Sequence, residues 1–308
     1  MTADGEFSRS APAWRPTGLV WTPAGAALEW LSPAADVRVS AVGLGARLAL
    51  GVGPHRRCTG LWWGGRRVPC AAHTTIAAEA KSGQCASCTS IARSRSVATD
   101  TALDDPREFC VYLAHHGSLV KVGITAAERG PVRLLEQGAL SSLVLSAGTL
   151  LSARRCETLL TTALGVPQQV RTTRKRVARL TPGTAATRAA ELVAVAEQAS
   201  ALAWPPGQTR TATVPIDHTS DYGLPEAGIV PDHQLEPLHP GTTISGEVTC
   251  RIGRDLYLNT TSGIALLDTG LIQGWALSRA DDDASCTARM TPITTPGAEA
   301  GAQHEVLF

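Results

Sequence analysis

Four of the eight cysteines fall within one short stretch of the chain, as Cys58, Cys70, Cys85 and Cys88. Their spacing is C-x11-C-x14-C-x2-C. A C-x2-C pair places two thiolates on one tight turn, and two further thiolates complete a tetrahedron around Zn²⁺. Four protein ligands leave no coordination position open, so the spacing predicts a structural zinc site.

Two other interpretations of these cysteines stay open. Cys85 and Cys88 alone could form a redox dithiol, and His55 or His73 could replace one cysteine as a ligand. Disulfides explain the pattern less well, because the N-terminus has neither the charged nor the apolar region of a secretion signal. No apolar run reaches the roughly 18 residues of a membrane span, so a cytoplasmic protein is expected.

A second group of residues lies in the middle of the chain, beginning at VYLAHHGSLVKVGIT over residues 111–125. This stretch resembles the opening hairpin of the GIY-YIG nuclease superfamily, with Tyr112 in the first motif and Lys121 in the second. Lys121 stands where the second tyrosine of that motif is found. Arg133 and Glu157 fall where the superfamily has its transition-state arginine and its metal-binding glutamate.

The resemblance extends beyond the hairpin. The whole chain resembles a bacterial domain-of-unknown-function family that places a GIY-YIG-like core between two flanking units. Its segment RLLEQGA over residues 133–139 is similar to a signature of that family. This likeness implies a fold, whereas the function of the family is not established.

Hydrolysis of a phosphodiester needs a base, a cation for the developing charge and help for the leaving oxygen. Tyr112 could accept the proton if Lys121 and a metal lower its pKa. Glu157 could hold Mg²⁺ or Mn²⁺, and Arg133 with Arg129 could stabilise the phosphate charge. Each residue also has a purely structural interpretation, as a strand aromatic, a solvated lysine or a charge on a helix surface.

Seven basic residues are predicted to form a phosphate-binding face beside this site, which suits DNA or RNA. They are Arg154, Arg155, Arg171, Arg174, Lys175, Arg176 and Arg179. No aromatic residue interrupts the run 171–179, so contacts to the backbone are expected there rather than base stacking. A solvated loop is the alternative.

Charge is distributed unevenly, although the net charge is only +1. Residues 1–180 hold 22 Lys and Arg against 12 Asp and Glu, whereas residues 181–308 hold six against 15. A polyanionic partner for the basic part is one explanation. Attraction between the two parts of the chain is the other.

The pattern of the elements predicts where these residues lie. Two strands at 109–114 and 119–124 are joined by a turn in which His115 and His116 are expected to face solvent. A short helix over 132–137, a strand over 143–148, a helix capped by Ser152 that runs to about residue 164, and a helix over 185–202 follow. Alternating apolar and polar runs on both sides of this region predict β units.

The sequence therefore predicts an α+β chain with a GIY-YIG-like three-stranded antiparallel sheet, flanking helices, an N-terminal β/zinc module and a small C-terminal β domain. The expected boundaries are 1–105, 106–204, a linker over 205–240, 241–280 and a disordered tail over 281–308. The predicted function is metal-dependent cleavage of a nucleic acid. A non-catalytic nucleic-acid-binding protein and a zinc-stabilised scaffold for a protein partner remain alternatives, and the oligomeric state is not predicted.

Overall fold

A computed structural model describes residues 14–63, 65–94, 105–211 and 214–293. Within these ranges the chain is a mixed α+β protein with antiparallel and mixed sheets, which confirms the predicted class. The strands are β1 Arg15–Thr22, β2 Gly25–Leu31, β3 Val37–Ala41, β4 Arg47–Arg56, β5 Leu61–Trp63, β6 Arg66–Val68, β7 Phe109–His115, β8 Val120–Ala126, β9 Ser141–Gly148, β10 Gln208–Arg210, β11 Ile216–Asp217, β12 His233–Leu235, β13 Thr243–Ile252, β14 Asp255–Thr260, β15 Gly263–Asp268, β16 Trp275–Arg279 and β17 Met290–Pro292.

The described residues also form six α-helices. These are α1 Ala86–Ser94, α2 Gly130–Gln137, α3 Leu150–Leu164, α4 Thr172–Ala178, α5 Ala185–Ser200 and α6 Thr219–Tyr222. A 3-10 turn over Ala127–Arg129 precedes α2. None of the helices in the described ranges is long and apolar enough to cross a membrane.

The central sheet has the order β10-β9-β7-β8, and β11 also pairs with β9. Its strands β9, β7 and β8 are antiparallel, and α3 and α5 pack against it around a core that includes Phe109, Leu113 and Leu160. Thr149 is the N-cap of α3, where its hydroxyl accepts from the backbone N–H of Ser152. The helix therefore begins before Ser152, and its cap is Thr149 rather than the Ser152 that the sequence predicts.

The sheet that flanks this core takes strands from both ends of the chain. Its order is β16-β4-β13-β14-β15-β12-β17, so β4 lies between two strands from residues 243–279. The predicted N-terminal and C-terminal β units are thus joined by hydrogen bonds through β4. Alternation of side chains predicts a strand but not its neighbour, which is why the pairing was not anticipated.

The predicted linker over 205–240 contains β10, β11, β12 and α6, which belong to or pack on these sheets. Tyr222 of α6 is fully buried and its hydroxyl donates to the Ala139 carbonyl at 2.8 Å. In the predicted tail, residues 281–293 include β17, which pairs with β12. The prediction of a linker and of a disordered tail is therefore wrong for these residues, because strand pairing and burial fix their positions. Residues 294–308 lie outside the described ranges.

Candidate functional site

The predicted site begins in the hairpin of β7 and β8, where Tyr112 and Gly123 are paired across the two strands. A Cβ on Gly123 would stand 2.6 Å from Tyr112 Cζ, which is closer than real Cβ contacts. Only glycine leaves room for the buried ring. This pairing therefore decides where the phenol hydroxyl lies.

Gln137, the last residue of α2, holds that hydroxyl by donating from Nε2 to Tyr112 Oη at 2.5 Å. Burial raises the pKa of Tyr112, and the hydrogen bond from Gln137 and the charge of Arg133 oppose this only in part. The phenol is therefore protonated at neutral pH. Burial works against the predicted role of Tyr112 as a proton acceptor.

Lys121 lies near the same ring, with its Nζ 5.6 Å from the Tyr112 ring centroid. The ammonium donates to the Gln168 carbonyl at 3.2 Å, and only 7% of the residue is exposed. Burial lowers the pKa of Lys121 to about 8, while the charge of Glu157 raises it and that of Arg133 lowers it. Lys121 is therefore the group at this hairpin that changes protonation close to neutral pH.

Arg129 and Arg133 share one carboxylate. Arg129 Nη2 donates to both oxygens of Glu136 at 2.8 and 2.6 Å, and Arg133 Nη1 donates to Glu136 Oε2 at 3.2 Å. Arg129 is exposed, whereas Arg133 and Glu136 are half-buried. Ion pairs at solvent-accessible side chains contribute little to folding stability. A phosphate can therefore replace Glu136 as the partner of the two arginines.

Glu157 lies half-buried on α3, and its charge acts on the pKa of both Tyr112 and Lys121. The charge of Arg133 acts on the same two groups. Glu157 and Arg133 therefore influence the same two buried groups, the Tyr112 phenol and the Lys121 amine. That the phenol, ammonium, guanidinium and carboxylate form one site stays a prediction.

Lys175 and His116 lie next to this group. Lys175 Nζ donates to the Gln137 carbonyl at 2.8 Å, and burial together with the charge of Lys121 lowers the pKa of Lys175 to about 7. His116 Nδ1 is 3.0 Å from the Gly138 carbonyl, and its Nε2 has no hydrogen-bond partner among the described residues. Burial and Lys175 lower the pKa of His116 well below its usual value, so it is neutral.

Both histidines of the hairpin turn are buried, which corrects the expectation that they face solvent. His115 Nε2 lies 2.6 Å from Glu191 Oε2 on α5, so packing against that helix covers the turn. A hairpin turn is exposed by default, and only the position of α4 and α5 reverses this.

The seven predicted phosphate contacts divide into two sets. Arg155, Arg171 and Arg174 are exposed, while Arg154 and Lys175 are half-buried. We define these five residues as the basic face. The other two, Arg176 and Arg179, face the flanking sheet.

Arg176 and Arg179 form an ion-pair network with the flanking sheet. Arg176 Nη2 lies 2.5 Å from Asp255 Oδ1 and 3.0 Å from Asp268 Oδ2, and Arg179 Nη1 lies 2.6 Å from Asp255 Oδ2. Arg179 is only 3% exposed. Neither side chain is available to a phosphate, so we correct that prediction for both. Attraction between the basic and acidic parts of the chain accounts for these two arginines.

The four clustered cysteines also meet in space. The sulfurs of Cys58, Cys70, Cys85 and Cys88 all lie within 4.8 Å of one another, and Cys70 Sγ is 3.9 Å from Cys85 Sγ. Tetrahedral zinc with Zn–S distances of about 2.3 Å requires sulfur separations of about 3.8 Å. The cluster can hold a metal ion and is consistent with a structural zinc site.

The surrounding backbone supports this assignment. The N–H groups of Gly60 and Cys85 donate to Cys58 Sγ at 3.4 and 3.2 Å, as expected around a metal-bound thiolate. Gly60 has φ +69°, and a Cβ there would stand 2.8 Å from Pro69 Cα. A glycine is thus required where the chain enters the hairpin β5–β6, which lies between Cys58 and Cys70.

The sequence model of one family, described as a protein of unknown function (DUF2797), matches residues 45–277. The chain belongs to DUF2797. The match covers the cysteine cluster, the central sheet and the flanking sheet from β4 into β16. Membership of a family of unknown function confirms that part of the predicted resemblance. No curated protein and no solved structure matches the chain.

Within the DUF2797 region, sequence reasoning missed three residues of the site. Gln137 follows Arg133 by one helical turn, a spacing that places both side chains on the same face and could have indicated it. Lys175 was predicted only as a phosphate contact. His116 had no local signal, because its burial depends on elements distant in the sequence.

Proposed function

We propose that this DUF2797 protein is a metal-dependent phosphodiesterase of the GIY-YIG type that acts on a nucleic acid. The observation that supports the proposal most strongly is the shared electrostatic environment of Tyr112, Lys121, Arg133 and Glu157. Three of these groups match the needs of phosphoryl transfer. The amine can act as a base, the guanidinium can stabilise phosphate charge, and the carboxylate can bind a metal ion.

In this proposal Lys121 accepts the proton of the attacking water. Its pKa of about 8 leaves a useful fraction of neutral amine near pH 7–8. Tyr112 stays protonated, is oriented by Gln137 and donates a hydrogen bond to the phosphate. This arrangement exchanges the roles that the sequence suggested for the phenol and the amine.

Arg133 and Arg129 turn from Glu136 to the phosphate oxygens and stabilise the charge that develops on them. Glu157 is the residue that would hold Mg²⁺ or Mn²⁺, since Mg²⁺ commonly takes one or two carboxylates and keeps several waters. A bound divalent ion there supplies Lewis-acid stabilisation of the phosphate. The basic face extends the contact along the nucleic-acid backbone.

The four-cysteine cluster has a separate role in the proposal. We infer that it binds Zn²⁺ with four thiolates, which leaves no open position for substrate. Zinc binding of this kind contributes about 10–16 kcal/mol to the folding of small modules. In this proposal the zinc ion stabilises the fold of the hairpin β5–β6 and α1 and takes no part in catalysis.

The decisive experiment is a cleavage screen over single-stranded and duplex DNA and RNA, with and without Mg²⁺ or Mn²⁺. Glu157→Gln removes one charge while keeping the shape, and we expect it to reduce cleavage by about 10²-fold or more. Glu226→Gln, at an exposed position outside the site, is the matched control. Equal cleavage by the two variants would remove Glu157 from the mechanism.

A second candidate is a nucleic-acid-binding protein that does not cleave. The pairing of Glu136 with both Arg129 and Arg133 favours it, because the arginines already have a carboxylate partner in the free protein and keep only one net positive charge. Salt-sensitive binding without cleavage under any divalent condition would support this candidate. Absence of nucleic-acid binding at low salt would leave a scaffold for a protein partner.

A further inference from the structure

Two adjacent tryptophans lie on the hairpin β5–β6, whose two ends are fastened by Cys58 and Cys70. Trp62 is 56% exposed and Trp63 39%. The register pairs Trp62 with Arg67 and Trp63 with Arg66. Because successive side chains of a strand point to opposite faces, each face of the hairpin carries one exposed indole beside one arginine.

The segment of sequence around these tryptophans is basic, and the acidic residue next to Trp62 in the structure comes from another strand, as Glu29. Residues 37–78 contain six arginines and no aspartate or glutamate. Arg57 and Arg66 are exposed. The Arg67 guanidinium lies 5.7 Å from the Trp62 ring centroid and is held by Glu29 at 2.5 Å, so its contact with the ring is oriented by a second strand.

We propose that the tip of this hairpin is a stacking surface for the unpaired bases of a single-stranded nucleic acid. The proposal deepens the proposed function, on which it rests for the class of partner, and names a single-stranded stretch as part of the substrate. An exposed indole stacks on any base, and nearby guanidinium groups contact phosphates. The run 171–179 lacks aromatic residues, so base stacking requires aromatic side chains elsewhere in the chain, and the hairpin carries two that are exposed.

Single strands are favoured over duplexes for a physical reason. Bases inside a duplex already stack on each other, and their faces are closed to a side chain. An indole on a hairpin tip gains contact only with a base that is free to leave its neighbours. The rigid base of the hairpin reduces the entropy that ordering the tryptophans would otherwise cost.

The test measures binding of fluorescein-labelled dT20 and of a duplex of equal length by anisotropy, using the full chain loaded with zinc and no added Mg²⁺. Trp62→Ala should weaken binding to dT20 by about 5- to 100-fold, the effect of losing one stacked base. Trp62→Phe should retain most of the affinity. Arg66→Ala should lower the slope of log K against log salt by about 1.

Val230→Ala is the control, since Val230 is also about half exposed but lies outside the hairpin. Unchanged zinc content and melting temperature in Trp62→Ala exclude a folding defect. Equal affinity of wild type and Trp62→Ala for dT20, or an equal loss on duplex, overturns the stacking surface. So does the absence of binding to any oligonucleotide, which would point to a protein partner.

The two proposals fail separately. Cleavage that depends on Glu157 with no effect of Trp62→Ala on dT20 binding rejects the stacking surface and leaves the phosphodiesterase in place. Binding of dT20 that depends on Trp62, without Mg²⁺-dependent cleavage, supports the stacking surface and rejects the phosphodiesterase.

Discussion

Replacing Asp255 with Asn tests how α4, which carries Lys175, is held against the flanking sheet. Asp255 is 1% exposed and accepts from both Arg176 and Arg179. Arg176 has a second carboxylate in Asp268, but no other carboxylate pairs with Arg179 within the described residues. The substitution therefore leaves one buried guanidinium without a counter-charge.

Breaking a buried ion pair by removing one partner costs about 3–5 kcal/mol, whereas an exposed pair contributes about 0–1 kcal/mol. We expect Asp255→Asn to lower the free energy of unfolding by the larger amount. Asp282→Asn is the matched control, because its pair with Arg279 has side chains 69% and 81% exposed. Arg179→Met in the Asp255→Asn background should recover part of the loss.

The pH dependence has a defined sign. Although burial raises the pKa of Asp255, hydrogen bonds and charges from Arg176 and Arg179 outweigh it, and the net pKa is below the usual 3.8. The unfolded chain therefore binds a proton first as the pH falls. The stability from Asp255 is complete at neutral pH and begins to be lost below about pH 4, so the difference between wild type and Asp255→Asn should shrink as the pH falls further through the lower folded pKa.

Urea unfolding followed by circular dichroism measures these differences. With an m-value of about 3 kcal/mol/M, a loss of 3–5 kcal/mol lowers the midpoint by about 1–2 M. A loss below about 1 kcal/mol, or one equal to that of Asp282→Asn, would refute the reasoning. The arginines would then not depend on Asp255 for their charge balance.

Three further predictions concern the core, the site and the metal. Gly123→Ala should lower the free energy of unfolding by about 1–3 kcal/mol, because the new Cβ would stand 2.6 Å from the Tyr112 ring. In the same urea titrations, Gly43→Ala should change it by less than about 0.5 kcal/mol, because its Cβ would make only an ordinary contact at 3.8 Å. Cleavage rates measured from pH 6 to 10 should rise through about pH 8, where Lys121 loses its proton. Lys121→Arg should lower the rate and abolish the rise. A wild-type profile without this inflection would contradict the role of Lys121 as the base. Cys88→Ser should lose zinc and melt at a lower temperature, whereas Cys286→Ser, outside the cluster, should keep the zinc content and melting temperature of the wild type. Equal zinc content of the two variants, measured by mass spectrometry, would rule out the assigned ligand set.

Local patterns in the sequence predicted much of this protein. The C-x2-C spacing identified the cysteine cluster, since two thiolates on one turn need few tertiary constraints to meet. The hairpin around Gly117, the helix after Pro131 and the strand predicted over 143–148, which the structure extends back to Ser141, followed from turn residues and alternation. In each case the signal lies within a few residues of the element that it describes.

Contacts between distant segments were decided by the tertiary structure. The place of β4 between β16 and β13 depends on pairing energies that alternation does not encode. Arg176 and Arg179 have the same sequence context as Arg171 and Arg174, yet Asp255 draws the first pair inward. The low pKa of Lys121 and the protonated state of Tyr112 likewise arise from burial, which a linear sequence does not show. Residue types and spacing thus determined which chemical groups are present, and only packing decided which of them are solvated, paired or free to react.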